Sequence, residues 1–254
     1  MTRKISLFGL QFDAVRMPEA VAQVFAWVRE RDGCCHYVVT PNVDHTVLFQ
    51  QHAGLRAAYQ DAGLVLADGM PVVLASRLLG RGLPERVAGS DLVPALLAAA
   101  ETSGGLKIYL LGAGPGVAER AARNIVQRYP SVEVVGTYSP PLGFEKDPVE
   151  NAAIVARIAA AGADVLLVGL GAPKQELWVH AHFHELRVST ALCIGATIDF
   201  LAGETARAPR WMRSTGLEWL HRLASEPKRL VRRYARDAWV FPQLVWREAM
   251  TKRR

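Results

Sequence analysis

Asp68 stands in the segment Ala67-Asp68-Gly69-Met70-Pro71, directly after an apolar run and before a glycine. A carboxylate in that position has two readings. It can act as a general base toward a sugar hydroxyl, or it can cap a helix over residues 72–79. Thr40-Pro41-Asn42 also follows an apolar run and adds a hydroxyl and an amide. A third segment, Gly169-Leu170-Gly171-Ala172-Pro173-Lys174-Gln175-Glu176, joins glycines to a polar cluster. Lys174 and Gln175 there suit a phosphate or sugar hydroxyls, although Pro in the first turn of a helix explains the pattern too. Finally, Gly112-Ala113-Gly114-Pro115-Gly116 lies between an apolar run and a helical stretch. Glycines in such a turn let the backbone approach a diphosphate at a helix N-terminus; they equally suit a tight strand-to-helix turn.

Other chemistries are poorly supported. The glycine turn at 112–116 lacks the full G-x-G-x-x-G spacing, and no acid closes the next run at 132–137. A nicotinamide enzyme needs that acid for the ribose. His180 and His184 have a zinc-compatible i, i+4 spacing, but no glutamate of the H-E-x-x-H kind accompanies them. No Asp-x-Asp occurs, so a cation bridging a sugar-nucleotide diphosphate has no obvious ligands. Basic side chains are expected to stabilise the leaving group instead. Neither a metal nor a cofactor is expected.

These residues need a scaffold that collects them. Runs at 36–40, 64–67, 107–111, 132–137, 164–169 and 190–195 are almost continuously apolar, as strands buried on both faces are. Ala- and Leu-rich stretches at 20–30, 90–102, 116–128, 148–161 and 175–186 alternate with them. Such alternation predicts an α/β fold with a parallel sheet flanked by helices. Ligands bind these sheets at the carboxyl ends of the strands, where all four polar segments fall. The loop 138–147, with Pro140-Pro141 and Gly143, is a candidate subdomain joint or mobile lid.

Charge divides the chain in two. Residues 207–254 hold 13 Lys/Arg against 4 Asp/Glu and four of the six tryptophans; residues 1–206 hold 17 against 20. The predicted organisation is a core over 1–206 and a basic helical appendage over 207–254. Ser225-Glu226-Pro227 reads as a helix start, dividing the appendage into a helix near 211–224 and a second after 225. In the second, Arg229, Arg233 and Arg236 share one face, while Leu230, Val231 and Tyr234 share another. A basic tail seeks phosphate, nucleic acid or anionic lipid, and its aromatics favour a membrane interface. The plainer alternative is a solvated helix packed on the body by its apolar face. Three cysteines, two adjacent, make no disulfide framework and fit a reducing cytoplasm. No signal peptide or spanning segment is expected.

The ordered set of segments resembles the WecG/TagA/CpsF family of bacterial glycosyltransferases. The matching pieces are Thr40-x-Asn42, Ala67-Asp68-Gly69, Arg86-Val87-Ala88-Gly89-Ser90-Asp91, the Gly-x-Gly turn at 112–114, Gly171 to Glu176, and Gly195 to Phe200. Leu217-Glu218-Trp219, Arg222-Leu223 and Glu226-Pro227-x-Arg229-Leu230 to Arg232 extend the match into the tail. The resemblance implies a Rossmann-like body with a membrane-targeting appendage. It implies metal-independent, inverting transfer from a UDP-sugar to an undecaprenyl-diphosphate-linked sugar in surface-polysaccharide synthesis. The sugar would be a hexose or N-acetylhexosamine, with N-acetylmannosamine and glucose the family's examples. Asp68 is then the general base, and Thr40, Arg86 and Gln175 line the sugar-nucleotide site. Arg222, Arg229 and Arg232 approach the donor diphosphate. A leaving-group charge without a metal, and cations concentrated in a separable segment, further suggest a tail that is mobile in solution and docks over the site only at a membrane. Asn42, Gly112, Gly114, Gly171 and Lys174 complete the expected substrate contacts. The enzyme would work on the inner face of the cytoplasmic membrane, a homo-oligomer is plausible for the family, and nucleic acid is not an expected partner. A DNA- or RNA-binding protein, or a non-catalytic membrane adaptor in which Asp68 is only a cap, is the contrasting reading.

Overall fold

The computed structural model describes residues 2–209, 211–212, 216–225 and 227–251, without the side chain of Arg229. Its centre is a six-stranded sheet of β3 (His36–Val39), β4 (Leu64–Val65), β5 (Leu106–Gly112), β6 (Val132–Tyr138), β7 (Val165–Gly169) and β8 (Thr190–Cys193). The strand order is β4-β3-β8-β7-β5-β6, and every neighbouring pair is parallel. All six apolar runs are therefore strands. Along β7, Leu166 and Val168 join one buried cluster while Val165 and Leu167 join the other. Both faces of the sheet are covered, which explains why the sequence runs lack polar alternation.

The covering helices are α1 (Met17–Glu30), α2 (Val43–Phe49), α3 (Ala53–Gln60), α4 (Met70–Leu78), α5 (Gly89–Ala100), α6 (Val117–Arg128), α7 (Pro148–Ala161), α8 (Lys174–His182) and α9 (Thr197–Ala202). Local chemistry fixes their starts. Asp147 accepts from the amides of Val149 and Glu150 at the head of α7, with Pro148 behind it. Asn42 caps α2 by accepting from the His45 amide at 3.2 Å. The predicted loop 138–147 contains a short 3-10 turn, Phe144–Lys146, whose Phe144 is buried.

Before the sheet comes a hairpin of β1 (Lys4–Leu7) and β2 (Leu10–Asp13). Its two turn residues, Phe8 and Gly9, both have positive φ, 57° and 81°. That is the geometry of a tight two-residue hairpin, which Asn-Gly or Asp-Gly usually marks. Asp13 ties the hairpin to the sheet by accepting from the Val65 amide at 2.9 Å.

The tail forms α10 (Glu218–Ser225) and α11 (Pro227–Thr251). The helix break falls where Ser225-Glu226-Pro227 predicts it, although Glu226 lies outside the described residues, as does part of the predicted first helix at 213–215. The hydroxyl of Ser225 donates to the carbonyl of His221 at 2.9 Å. Helix α11 lies along α2. Leu244 is buried, and Val240, Phe241, Val245 and Ala249 pack on the body's core. Phe241 meets Phe8 of the hairpin edge-on at 5.4 Å, and Glu248 pairs with Arg81.

The basic face of α11 does not turn to solvent as a unit. Arg233 lies 3.5 Å from Asp44 of α2, and Arg236 donates to the same carboxylate. Asp44 is buried, and a buried carboxylate needs a cation close by. Outward-facing positions are instead Val231, Arg232, Trp239, Trp246 and Met250.

Candidate active site

The strand ends bring Asp68 to the sheet's carboxyl edge. Its amide donates to the carbonyl of Pro41 at 3.0 Å, which ties the loop after β4 to the loop after β3. Gly69 follows with φ 130°, open to glycine alone, and α4 then begins. Asp68 is not the cap of α4. Gly69 occupies that position, and no side chain caps the helix. The Val87 amide donates to the Ala67 carbonyl at 2.9 Å, and that pairing delivers Arg86.

Arg86 binds three carboxylates. Its Nη1 is 3.4 Å from Asp68 Oδ1 and 3.5 Å from Glu218 Oε2, and its Nη2 pairs with Asp91. Arg207 holds the other oxygen of Asp91 at 2.7 Å. Burial raises the Asp68 pKa above the ordinary carboxylate value; Arg86 opposes that rise, and Glu218 reinforces it. The Asp68 side chain keeps 28% of its surface open, toward a cavity.

That cavity encloses about 390 Å³. Asn42, Asp68 and Arg86 of the body line one side, and Glu218, Arg222 and Arg233 of the tail line the other. Met70, Pro71, Trp219, Tyr234, Phe241 and Pro242 give it largely apolar walls. A smaller cavity of about 220 Å³ adjoins it, between α9 and the tail, with Asp199, Thr205, His221 and Ser225 in its lining. Glu218, Arg222 and Arg233 border both. The Arg222 guanidinium rests over the Phe200 ring at 5.4 Å. The buried Nε of Arg233 has no hydrogen-bond acceptor among the described residues.

Asn42, Asp68, Arg86 and Arg222 are thus assembled around one space, as the sequence predicts. Thr40 and Gln175 lie beside it, buried, and line neither cavity. Thr40 donates to the Cys193 carbonyl at 3.3 Å. Gln175 accepts from the Gly195 amide at 3.0 Å and donates to Glu176 Oε1 at 2.8 Å. Both fasten the loops around the end of β8. Lys174 pairs with Glu145 at 3.1 Å over the Phe144 ring. Arg232 is exposed and borders neither cavity; the side chain of Arg229 lies outside the described residues.

The glycine turns have backbone duties. Gly112 has φ 116°, and a Cβ there would collide with the Gly169 carbonyl on the neighbouring strand. Ser139 donates to the carbonyls of Gly112 and Gly114, each at 3.2 Å. Gly171 has φ 78° and open space where a Cβ would stand.

Beneath Asn42 lies a polar pair that the sequence reading missed. His45 Nε2 is 3.5 Å from Glu176 Oε1, and its Nδ1 is 2.9 Å from Asn42 Oδ1. Both residues are buried. Burial disfavours the imidazolium, but Glu176, Asp44 and Asp68 outweigh it, and the His45 pKa lies above its ordinary value. Asp44 and His45 lie two and three residues past Asn42 of the Thr40-Pro41-Asn42 segment, the signal nearest to them in the sequence. The histidines at 180–184 are occupied otherwise: His180 pairs with Asp61 at 2.9 Å, His182 with Glu185 at 3.8 Å, and His184 packs on Phe183. Among the described residues, no three His, Cys, Asp or Glu side chains converge as a metal-ligand set.

A parallel α/β body with a carboxylate and arginines around a strand-end cavity is an arrangement suited to a group-transfer enzyme. The profile described as "Glycosyl transferase WecG/TagA/CpsF family" matches residues 5–254, and the chain belongs to that family of glycosyltransferases. Two relatives are named N-acetylglucosaminyldiphosphoundecaprenol N-acetyl-beta-D-mannosaminyltransferase. The Bacillus spizizenii protein is 31% identical over 216 residues, 85% of this chain and 81% of its own. The Staphylococcus aureus protein is 29% identical over 231 residues, 91% and 88% of the two chains.

Proposed function

We propose that this glycosyltransferase moves a hexose or N-acetylhexosamine, N-acetylmannosamine or glucose, from a UDP-sugar to a sugar carried on undecaprenyl diphosphate. The observation that carries the reading is the Asp68 carboxylate, of raised pKa, opening into a cavity rimmed by Arg86, Arg222 and Arg233. Asp68 accepts the proton of the acceptor hydroxyl. The acceptor oxygen bonds to the anomeric carbon from the face opposite UDP. The bond from that carbon to the diphosphate oxygen breaks, and its electron pair leaves with UDP. The configuration inverts.

Arg222 and the Nε of Arg233, unpartnered among the described residues, stabilise charge on the departing diphosphate, so the step needs no metal. Thr40 and Gln175 support the site by holding the β8 end, and Asn42 faces the sugar. The apolar walls suit the carrier lipid next to the acceptor sugar. The relatives' printed names support this acceptor class.

The protein works as a peripheral protein at the inner face of the cytoplasmic membrane. No helix among the described residues is long and apolar enough to cross a membrane. Trp239 and Trp246, 74% and 62% exposed on α11, suit the headgroup region, with Arg232 and Arg247 near anionic lipid.

A panel of UDP-sugars with a short-chain polyprenyl-diphosphate sugar, assayed for UDP release, tests the reading. Turnover with one donor supports it and identifies the sugar. Binding to anionic vesicles without turnover of any donor, and without UDP binding by calorimetry, would leave an adaptor instead.

A further inference from the structure

Glu218 is the one acidic residue of α10, and it reaches from the tail into the body's site. Its Oε2 and the Oδ1 of Asp68 lie 3.5 and 3.4 Å from the same nitrogen, Nη1 of Arg86. All three side chains are largely enclosed: Arg86 is 14% exposed, Glu218 18% and Asp68 28%. The remaining arm of Arg86 goes to Asp91, which Arg207 also holds. One guanidinium therefore serves two carboxylates, one from each part of the chain, within a partly desolvated space.

We propose that Glu218 is a positioning residue that sets the strength of Asp68 as a base by sharing Arg86 with it. An arginine devoted to Asp68 alone would stabilise the carboxylate and weaken its pull on a proton. Glu218 draws part of that guanidinium away and adds a second negative charge nearby. Asp68 then takes a proton more readily. Because Glu218 belongs to α10, the base reaches this strength only while the tail is seated.

The other charged groups around the pair set limits on the effect. On α10, Arg222 acts on Asp68 in the opposite sense, as does His45 from α2. Arg233 and Asp237 of α11 and Asp44 of α2 also border the cavity, but Asp44 and Asp237 are engaged by Arg233 and Arg236. Among these groups, Glu218 alone shares the Arg86 nitrogen that faces Asp68. The direction of the Asp68 shift agrees, since Glu218 raises it.

The proposal rests on the reading of Asp68 as the base, and two measurements separate their failures. The first needs no substrate. Full-length protein with 13C-carboxyl aspartate is titrated by NMR, with the Asp68 signal assigned by its loss in Asp68→Asn. In Glu218→Gln, an isosteric change, the Asp68 signal should titrate at lower pH than in wild type. An unmoved titration in a variant with an otherwise unchanged spectrum overturns the proposal. The second is the pH dependence of kcat with UDP-sugar and acceptor. Glu218→Gln should move the acidic limb to lower pH and reduce plateau kcat about threefold to tenfold, with KM held. Glu218→Asp should recover part of the loss. A changed KM with an unmoved limb would make Glu218 a substrate contact and overturn the proposal. If Asp68→Asn keeps wild-type turnover while the NMR shift is present, the base assignment fails and the Glu218 coupling stands.

Discussion

Arg86 Nη1 lies 3.4 Å from Asp68 Oδ1, yet the Asp68 pKa stays above the ordinary value of 3.8. The ion pair is close enough to hold the carboxylate, and burial is strong enough to raise its proton affinity nonetheless. The native state therefore binds the Asp68 proton over a pH range where the unfolded chain has released it. Stability falls as pH rises from the unfolded value through the folded one. Asp68→Asn should raise Tm at neutral pH, by roughly 1–3 °C, while lowering kcat about a thousandfold or more. Thermal melts beside a UDP-release assay check both halves. A loss of Tm together with activity would make Asp68 a structural residue.

The buried His45–Glu176 pair gives a pH dependence of the same sign in a higher window. The His45 pKa is raised in the fold, so its stabilisation is complete below the ordinary value of 6.5 and fades as pH rises through the folded value. Urea unfolding across neutral to alkaline pH should show this decline, and Glu176→Gln should remove it. His45→Leu leaves the buried Glu176 charge without its partner and should cost about 3 kcal/mol. A pH-independent wild type would contradict the pair's charged state.

At the sheet edge, Gly112→Ala tests whether that turn is a ligand cradle or a structural approach between strands. An added Cβ meets the Gly169 carbonyl at a φ of 116°. A loss of about 3 kcal/mol or more in unfolding free energy is expected. A stable variant with impaired UDP-sugar binding would instead favour the cradle.

The exposed indoles of α11 are expected to govern membrane contact. Replacing Trp239 and Trp246 together by Ala should weaken binding to anionic vesicles about tenfold or more, and leave turnover of a soluble short-chain acceptor unchanged. Vesicle sedimentation with that assay measures both. Unaltered vesicle binding would move the contact elsewhere on the protein.

The sheet was legible because its strands are buried on both faces, so continuous apolar runs marked all six. The hairpin was not, since Phe8-Gly9 lacks the Asn-Gly or Asp-Gly signal and its strands have four residues each. At the site, Asp68 and Asn42 were legible from strand-end positions, and Arg86 and Arg222 only through the family resemblance. Glu218 stands in the Leu217-Glu218-Trp219 segment, but its part in the site depends on Arg86, 132 residues earlier in the chain. The basic face of α11 reads in sequence as a surface for anionic partners, whereas Arg233 and Arg236 turn to a carboxylate of the body. Its attractor, Asp44, lies at the start of α2 and becomes a neighbour only in the fold. Local patterns identify elements and turns; pairing between distant charges depends on how those elements dock.

The central claim is tested most directly by one reaction run with wild type and Asp68→Asn. It contains the preferred UDP-sugar, a short-chain polyprenyl-diphosphate sugar and EDTA, and NMR reads the anomeric configuration of the product. The expected product is inverted relative to the donor, formed by wild type with EDTA present and lost with Asp68→Asn. A retained configuration, or Asp68→Asn turning over within about twofold of wild type, would contradict the claim.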